Sequence, residues 1–176
     1  MIIWIILILV ILTGVAFFAI NNSALRWLVS GIMVLLTAAA VIALAMNMHS
    51  HFGMEKQTVT STKQVYSILP AQSPIGAVAA KKIGSNDYVL VYKDHANDAK
   101  PETHFAPDQK HIVETVKKSA GYKQTDVSNA QVVTKTTRWV YKNNMTKWLF
   151  QQKNEDNIIS VRHTLEIPQN WLVKSL

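Results

Sequence analysis

Two long apolar runs open the chain, and a different pattern succeeds them. Residues 2–20 are almost unbroken Ile, Leu, Val, Ala and Phe with no charged side chain, and residues 28–46 repeat that pattern. A helix rising ~1.5 Å per residue needs about 19 residues to cross roughly 30 Å of hydrocarbon. Both runs reach that length, and neither carries the polar stripe of a surface helix. The pattern predicts a transmembrane helical hairpin over residues 1–48, with helices at about 2–20 and 28–46. Residues 21–27 form the break. Within it, Arg26 and Trp27 suit the edge of a bilayer, because a charge at the helix centre costs ~2.5–3.5 kcal/mol on insertion scales and aromatics favour the interface. Phe52 is expected at the opposite interface. A soluble buried hairpin would need a large partner to cover two fully apolar helices. A cleaved leader would need two apolar runs and lacks the usual basic start, although Ala43-Leu44-Ala45 fits a small-x-small cleavage pattern. Gly14, Ala39 and Ala43 offer sites for close helix packing, with ordinary alanine usage as the plainer explanation.

After a junction at residues 49–56 the period changes from helical to two. Residues 57–68 alternate Thr58, Thr60 and Thr62 with Val59, Ser61 and Val65, which predicts a strand ended by Pro70. Residues 70–75 read as a loop. Residues 87–92 form a short continuous apolar run, as expected of a central strand. Residues 93–107 are polar and read as a loop, and Pro107-Asp108 could open a helix over 108–119 that stops near Gly121. Residues 130–142 predict a second long strand, then a turn at Asn143-Asn144 and a short apolar piece, Trp148-Leu149-Phe150. Glu155-Asp156-Asn157 marks another turn. Residues 158–167 then alternate most cleanly: Ile159, Val161, Leu165 and Ile167 face one way, and Ser160, Arg162, Thr164 and Glu166 the other. Trp171-Leu172-Val173 ends the chain's apolar pattern. The expected fold is an α+β membrane protein, a two-helix hairpin followed by a mostly antiparallel β domain over residues 57–176, with five or six strands and one helix.

Charge changes this picture only modestly. The chain has 176 residues with 18 basic and 11 acidic side chains, a net charge of +7. Arg26 is the single charge before Glu55, so the part of the chain after the hairpin carries 17 basic against 11 acidic residues, net +6. The basic residues are scattered, whereas nucleic-acid binders concentrate them with stacking aromatics. The charge is read as solubility plus attraction to anionic surfaces. No nucleic-acid partner is expected. The absence of cysteine excludes disulfides, thiolate metal sites and Cys nucleophiles. Counting Arg26 against Lys56 and Lys63 leans towards a cytoplasmic domain. The Thr-, Asn- and Gln-rich β pattern leans the other way, and an extracytoplasmic domain is the expectation.

Candidate chemistry is sparse. His49 and His51 would point the same way on an extended chain and could share a metal with help from Glu55, His95, His104 or His111. An interfacial junction that tolerates His is the plainer alternative. Arg138 and Trp139, with Lys142 nearby, could hold a planar or anionic ligand by stacking and charge. The plainer alternative is an Arg paired across the sheet and a Trp in the core. His163 falls on the apolar face of its strand, as a hydrogen-bonded core histidine would. There is no Gly-x-Ser-x-Gly elbow, Ser-x-x-Lys, His-Glu-x-x-His or phosphate-binding glycine loop. A non-enzymatic protein without a cofactor is expected.

Four stretches together carry a family resemblance. They are the apolar hairpin, His51-Phe52-Gly53-Met54, Thr136-Thr137-Arg138-Trp139-Val140-Tyr141-Lys142-Asn143 and Ile167-Pro168-Gln169-Asn170-Trp171. The chain resembles the two-helix membrane proteins of lactic-acid bacteria grouped as domain of unknown function 4811. The resemblance implies architecture and no catalytic residue. Three roles fit: an envelope structural or interaction module touching anionic polymers or lipid heads, an accessory subunit bound to another membrane protein, or a ligand- or metal-binding sensor. The lipid bilayer is the partner common to all three.

Overall fold

The computed structural model describes residues 1–70, 72–85, 87–107, 115–151 and 157–176. By internal packing the chain divides into two units, residues 1–56 with 139–157, and residues 57–138 with 158–176.

The first unit is helical. α1 (Ile2–Ala19) and α2 (Ser23–Ser50) pack side by side and are both long and apolar enough to cross a membrane. α2 begins five residues before the expected 28, so Arg26 and Trp27 lie in its first turns and the break shrinks to residues 20–22. The cause is Asn22. Its side-chain oxygen accepts from the Ala24 and Leu25 N–H groups at 3.1 and 3.2 Å, satisfying donors that a helix start leaves open. At the other end His51 adopts the left-handed conformation, φ 55° and ψ 36°, and returns its N–H to Asn47. That is the usual way to stop a helix. Gly53, at φ 80°, completes the reversal, and a Cβ there would meet Thr146 at 3.0 Å.

The apolar piece at Trp148 is a short helix, α3 (Asn144–Phe150), where a turn and an extended piece were expected. Asn143 and Thr146 form a capping box: Thr146 N–H donates to Asn143 Oδ1 at 2.8 Å and Asn143 N–H to Thr146 Oγ1 at 3.3 Å. Asn-Asn here starts a helix rather than closing a hairpin.

The second unit holds two four-stranded sheets, except for the first three residues of β1 and the last three of β6, which fall in the first unit. One has the order β1-β6-β7-β5, from β1 (Met54–Gln64), β6 (Gln131–Tyr141), β7 (Ile158–Pro168) and β5 (Lys118–Thr125). The other has the order β4-β3-β2-β8, from β4 (Glu102–His104), β3 (Tyr88–Tyr92), β2 (Ala77–Lys82) and β8 (Leu172–Ser175). Inward residues of both sheets share one core, with Leu90 and Val78 from one and Leu165 and Ile167 from the other fully buried beside Val65. The pairing is mixed. β6–β7, β2–β3 and β3–β4 are antiparallel, while β5–β7 and β2–β8 are parallel. The fold is α+β with a mostly antiparallel β part.

Three strands were not expected. β2 is short and Ala-rich, β4 lies within the polar stretch, and β5 occupies residues assigned to the end of a helix. Of the rest of that helix, Thr115 and Val116 are helical as expected, while 108–114, like most of the turn at 155–157, lie outside the described residues. β5 is a strand because its backbone pairs along all eight residues with β7, from Lys118↔Val161 to Thr125↔Pro168. Tertiary pairing of this kind overrides weak local propensity.

Gly76 shows how closely the second unit packs. A Cβ built there would overlap the Trp171 ring, whereas one at Gly84 meets nothing nearer than 3.6 Å. Overpacking costs typically ~1–3 kcal/mol. Gly76→Ala is therefore expected to lower the urea midpoint followed by circular dichroism, with Gly84→Ala near wild type. The double variant Gly76→Ala/Trp171→Leu should lose less than the sum of its parts.

Candidate functional site

The outer face of the β1-β6-β7-β5 sheet is polar, with Lys123, Lys135, Ser160 and Arg162 exposed. β7 alternates, so Leu165 and Ile167 go to the core while Ser160, Arg162 and Glu166 face out. Register then sets these residues into rows. Glu166 lies between Gln131 and Lys123, Arg162 between Lys135 and Ser119, and Ser160 beside Thr137. The Glu166 carboxylate accepts from Gln131 Nε2 at 2.8 Å and pairs with Lys123 at 3.0 Å. The Gln131 bond, then Lys123, holds this carboxyl below its ordinary range. The next row is different in kind. Lys135 and Arg162 are direct cross-strand partners, both exposed, and neither side chain forms a hydrogen bond or ion pair among the described residues. Like charges directly opposite destabilise a sheet. The row is a positive point on the sheet face, with the Glu166 carboxylate near enough for the Lys135 charge to act on it.

β1 extends this face at the sheet edge. Its residues 57–64 are all exposed, and the Thr58 and Thr137 hydroxyls share a hydrogen bond of 3.0 Å. Val65 N–H donates to Ala130 O at 3.0 Å in the same antiparallel register. Extending that register sets Thr60 beside Lys135. The positive row is thus flanked by hydroxyls on both sides.

Inside the same unit, four rings run in series, two stacked pairs joined by a tilted contact. Tyr92 lies 3.9 Å from His104 at 4°, His104 6.1 Å from Phe105, and Phe105 4.1 Å from His163 at 20°. Phe105 takes φ 61°, the left-handed region that bulky residues avoid. That conformation turns its ring onto His163. His163 Nδ1 and Thr134 Oγ1 share a hydrogen bond of 2.9 Å. A cavity of about 410 Å³ opens beside this end of the stack, lined by Tyr88, Phe105, Lys118, Ala120 and His163 among others. Burial, and then the Lys118 charge, push the His163 pKa down. Burial, and then Asp94, push the Tyr92 phenol well up.

At the far end of the stack, Asp94, Glu102 and His104 bring three donor atoms within 4.8 Å of one another. The β3–β4 pairing does this by setting His104 opposite Leu90 and Glu102 opposite Tyr92. The set has the donor types of a divalent-cation site with open positions. Asp94 is already engaged, however, by Lys63 at 2.9 Å. That bond comes first among the causes that lower its pKa, with His104 and His95 adding to it. The cluster works as an ion pair tying the ends of β1 and β3.

The fold disperses most of the residues that the sequence singled out. Trp139 is covered: His51 stacks on it at 4.3 Å and 13°, and Lys56 Nζ lies 5.2 Å from its ring centroid. Arg138 is exposed beside a register shift at Thr137/Arg138. Lys142 is exposed, with its backbone N–H on Gly53 O. His49 sits in the last turn of α2 and His51 caps it, so the two do not alternate along an extended chain. His104 belongs to the acidic cluster instead, and His111 lies outside the described residues. Arg26 lies over the Phe17 ring at 5.5 Å, Trp27 meets Phe17 edge-on at 5.8 Å, and Phe52 is exposed. The pairing of Lys135 with Arg162 was missed, since each looked like an ordinary solvated base. Only the β6–β7 register reveals it.

His163 gives this unit a pH dependence of known sign. Its folded pKa lies below the ordinary ~6.5. The neutral ring's contribution is therefore complete above about pH 6.5 and is lost as pH falls through that value towards the folded pKa. Asp94 and Glu166, also lowered, act only near the carboxylate range of ~4. Urea midpoints of wild type should fall between about pH 7.5 and 5.5, and His163→Gln should flatten that slope.

Comparison with known proteins adds one match. No curated protein and no solved structure matches the sequence. A family model described as Domain of unknown function (DUF4811) matches residues 22–175. Its first residue is the Asn22 that caps α2, so the match takes in α2 and the strands β1 to β8. With that share of the chain matched, the protein belongs to the DUF4811 family.

Proposed function

We propose that this is a two-pass membrane protein whose β domain is a non-enzymatic binding module, held outside the cytoplasm and gripping anionic envelope polymer. The observation that carries the reading is the Lys135–Arg162 row. Two bases held side by side, with no ion pair among the described residues, the Glu166 carboxylate acting on Lys135 only through its charge, and Thr and Ser hydroxyls on either side, suit repeating phosphates better than a single small anion. The exposed Thr-rich edge of β1 lengthens the surface along which an extended polymer could lie. A sheet face needs no closure to bind such a chain, in keeping with the missing nucleophile motifs.

A second reading is favoured by the cavity beside His163, which is large enough for a small ligand. Binding there would depend weakly on salt, and that separates the two readings. Service as an accessory subunit of a membrane transporter or enzyme would run through α1 and α2 instead.

The binding test uses the full chain in neutral-lipid nanodiscs with a poly(glycerol phosphate) probe and a neutral glucan as control. A basic side chain at an anionic surface contributes about 1 kcal/mol, so Lys135→Gln/Arg162→Gln should weaken binding roughly 30-fold. Raising ionic strength from about 0.01 M to about 1 M shortens the Debye length from ~30 Å to ~3 Å and should abolish binding. Equal affinity in the double variant, or at both salt levels, removes the proposal. Orientation is tested with a tag after Leu176: protease added to intact cells should remove it. A tag cut only after lysis places the domain in the cytoplasm.

A further inference from the structure

The two apolar helices differ in length, and the difference falls at one end. α1 has 18 residues and α2 has 28, about 27 Å and 42 Å at ~1.5 Å per residue. At the turn the two are flush, because Phe17 of α1 meets Trp27 and Arg26 of α2. The excess of ~15 Å therefore projects past the start of α1 as residues 41–50 of α2. This overhang stays apolar nearly to its end, with Met46 and Met48 both exposed. Its polar exception, Asn47, is buried and spends its Nδ2 on Phe52 O at 2.7 Å.

α3 stands at this step. The Met1 ammonium donates to Leu149 O at 3.0 Å, which fixes α3 over the first turn of α1. Thr146 and Phe150 close on Gly53, just past the end of α2. One side of α3 is thus used, and Phe150 is buried. The other side presents Met145, 70% exposed, and Trp148, 58% exposed, at the same end of the helices as exposed Trp4, Met48 and Phe52. Trp4 lies within the first turn of α1 and Met48 about 12 Å further out along the overhang, so Met145 and Trp148 stand among exposed apolar side chains at this end of the helices, more than the scattered apolar residues of an ordinary soluble surface. Trp favours the membrane–water boundary, and a short helix with one apolar side can lie in that plane.

We propose that α3 is an interfacial helix and that Met145 and Trp148 insert into the headgroup layer of the bilayer crossed by α1 and α2. The inference rests on the two-pass reading and adds a third membrane contact, made by a segment about a hundred residues further along the chain. It also accounts for the unequal helices: the bilayer boundary lies along the overhang, and α3 fills the level that α1 does not reach.

The chain has no cysteine, so single introduced cysteines can be labelled with an environment-sensitive fluorophore. Full-length Trp148→Cys and Met145→Cys, in nanodiscs containing doxyl-lipid quenchers, are compared with Val34→Cys in the middle of α2 and Thr60→Cys on exposed β1. Insertion to ~5–10 Å should make quenching at 145 and 148 about twofold stronger with shallow than with deep quenchers. Position 34 should respond to deep quenchers, and position 60 to neither. Quenching at 34 with 145 and 148 as silent as 60 overturns the interfacial helix and leaves the two-pass reading intact. Silence at 34 overturns both.

Discussion

The β domain depends on the register of β7. This strand pairs antiparallel with β6 on one side and parallel with β5 on the other, so one register sets both interfaces. Leu165 lies opposite Val132 and Tyr122, and sends its side chain fully into the core. Because side chains alternate with period two, a slip of one residue would bring Arg162, Thr164 and Glu166 inward and expel Leu165 and Ile167. The same choice places His163 inside, on Thr134 and Phe105, and Arg162 outside, on Lys135. Core, cavity and outer charge row are three results of a single alignment.

That dependence explains what was legible in the sequence. The alternation of residues 158–167 was plain because one face is apolar and the other polar, and the facing of Leu165, His163 and Arg162 is a consequence of it. α1 and α2 were plain because a run of apolar residues of that length has few other uses. β2, β4 and β5 were hidden for different reasons. β2 is four small or apolar residues and then two lysines, too short for a period. β4 is three residues held by pairing with β3. β5, Lys-Ser-Ala-Gly-Tyr-Lys-Gln-Thr, has little β propensity and exists because β7 offers it an open edge. Its parallel pairing also needs a long connection, which local pattern reading does not anticipate.

The candidate site was legible only in its parts. Lys135 and Arg162 are separated by 26 intervening residues, and nothing local links them. Asn143-Asn144 carries the same ambiguity on a smaller scale. Asn serves in turns and as a helix cap for one reason, its short side chain that bonds nearby backbone N–H groups. Thr146, three residues after Asn143, decided for the helix by completing the capping box. Asn22 decided the start of α2 in the same way, against the apparent break around Arg26 and Trp27.

The family match begins at Asn22 and leaves α1 outside it, and the physics of the helices gives a reason. On the proposed two-pass reading α1 faces lipid and asks little of its sequence, since hydrocarbon tails are as apolar as Leu and one aliphatic residue serves as well as another. α1 carries one polar side chain, Thr13, whose hydroxyl bonds back to Leu9 O within the helix. α2 carries more instruction: the Asn22 cap, the buried Asn47 and the left-handed His51 that turns the chain into β1. Those features set where the helix starts and how the β domain leaves it, and they fall within the matched stretch. α1 acts at its two ends. Phe17 meets Arg26 and Trp27 at the turn, and Met1 holds Leu149 at the other end. Its interior serves as a spacer that sets the distance between those contacts, so length and apolarity are its main requirements.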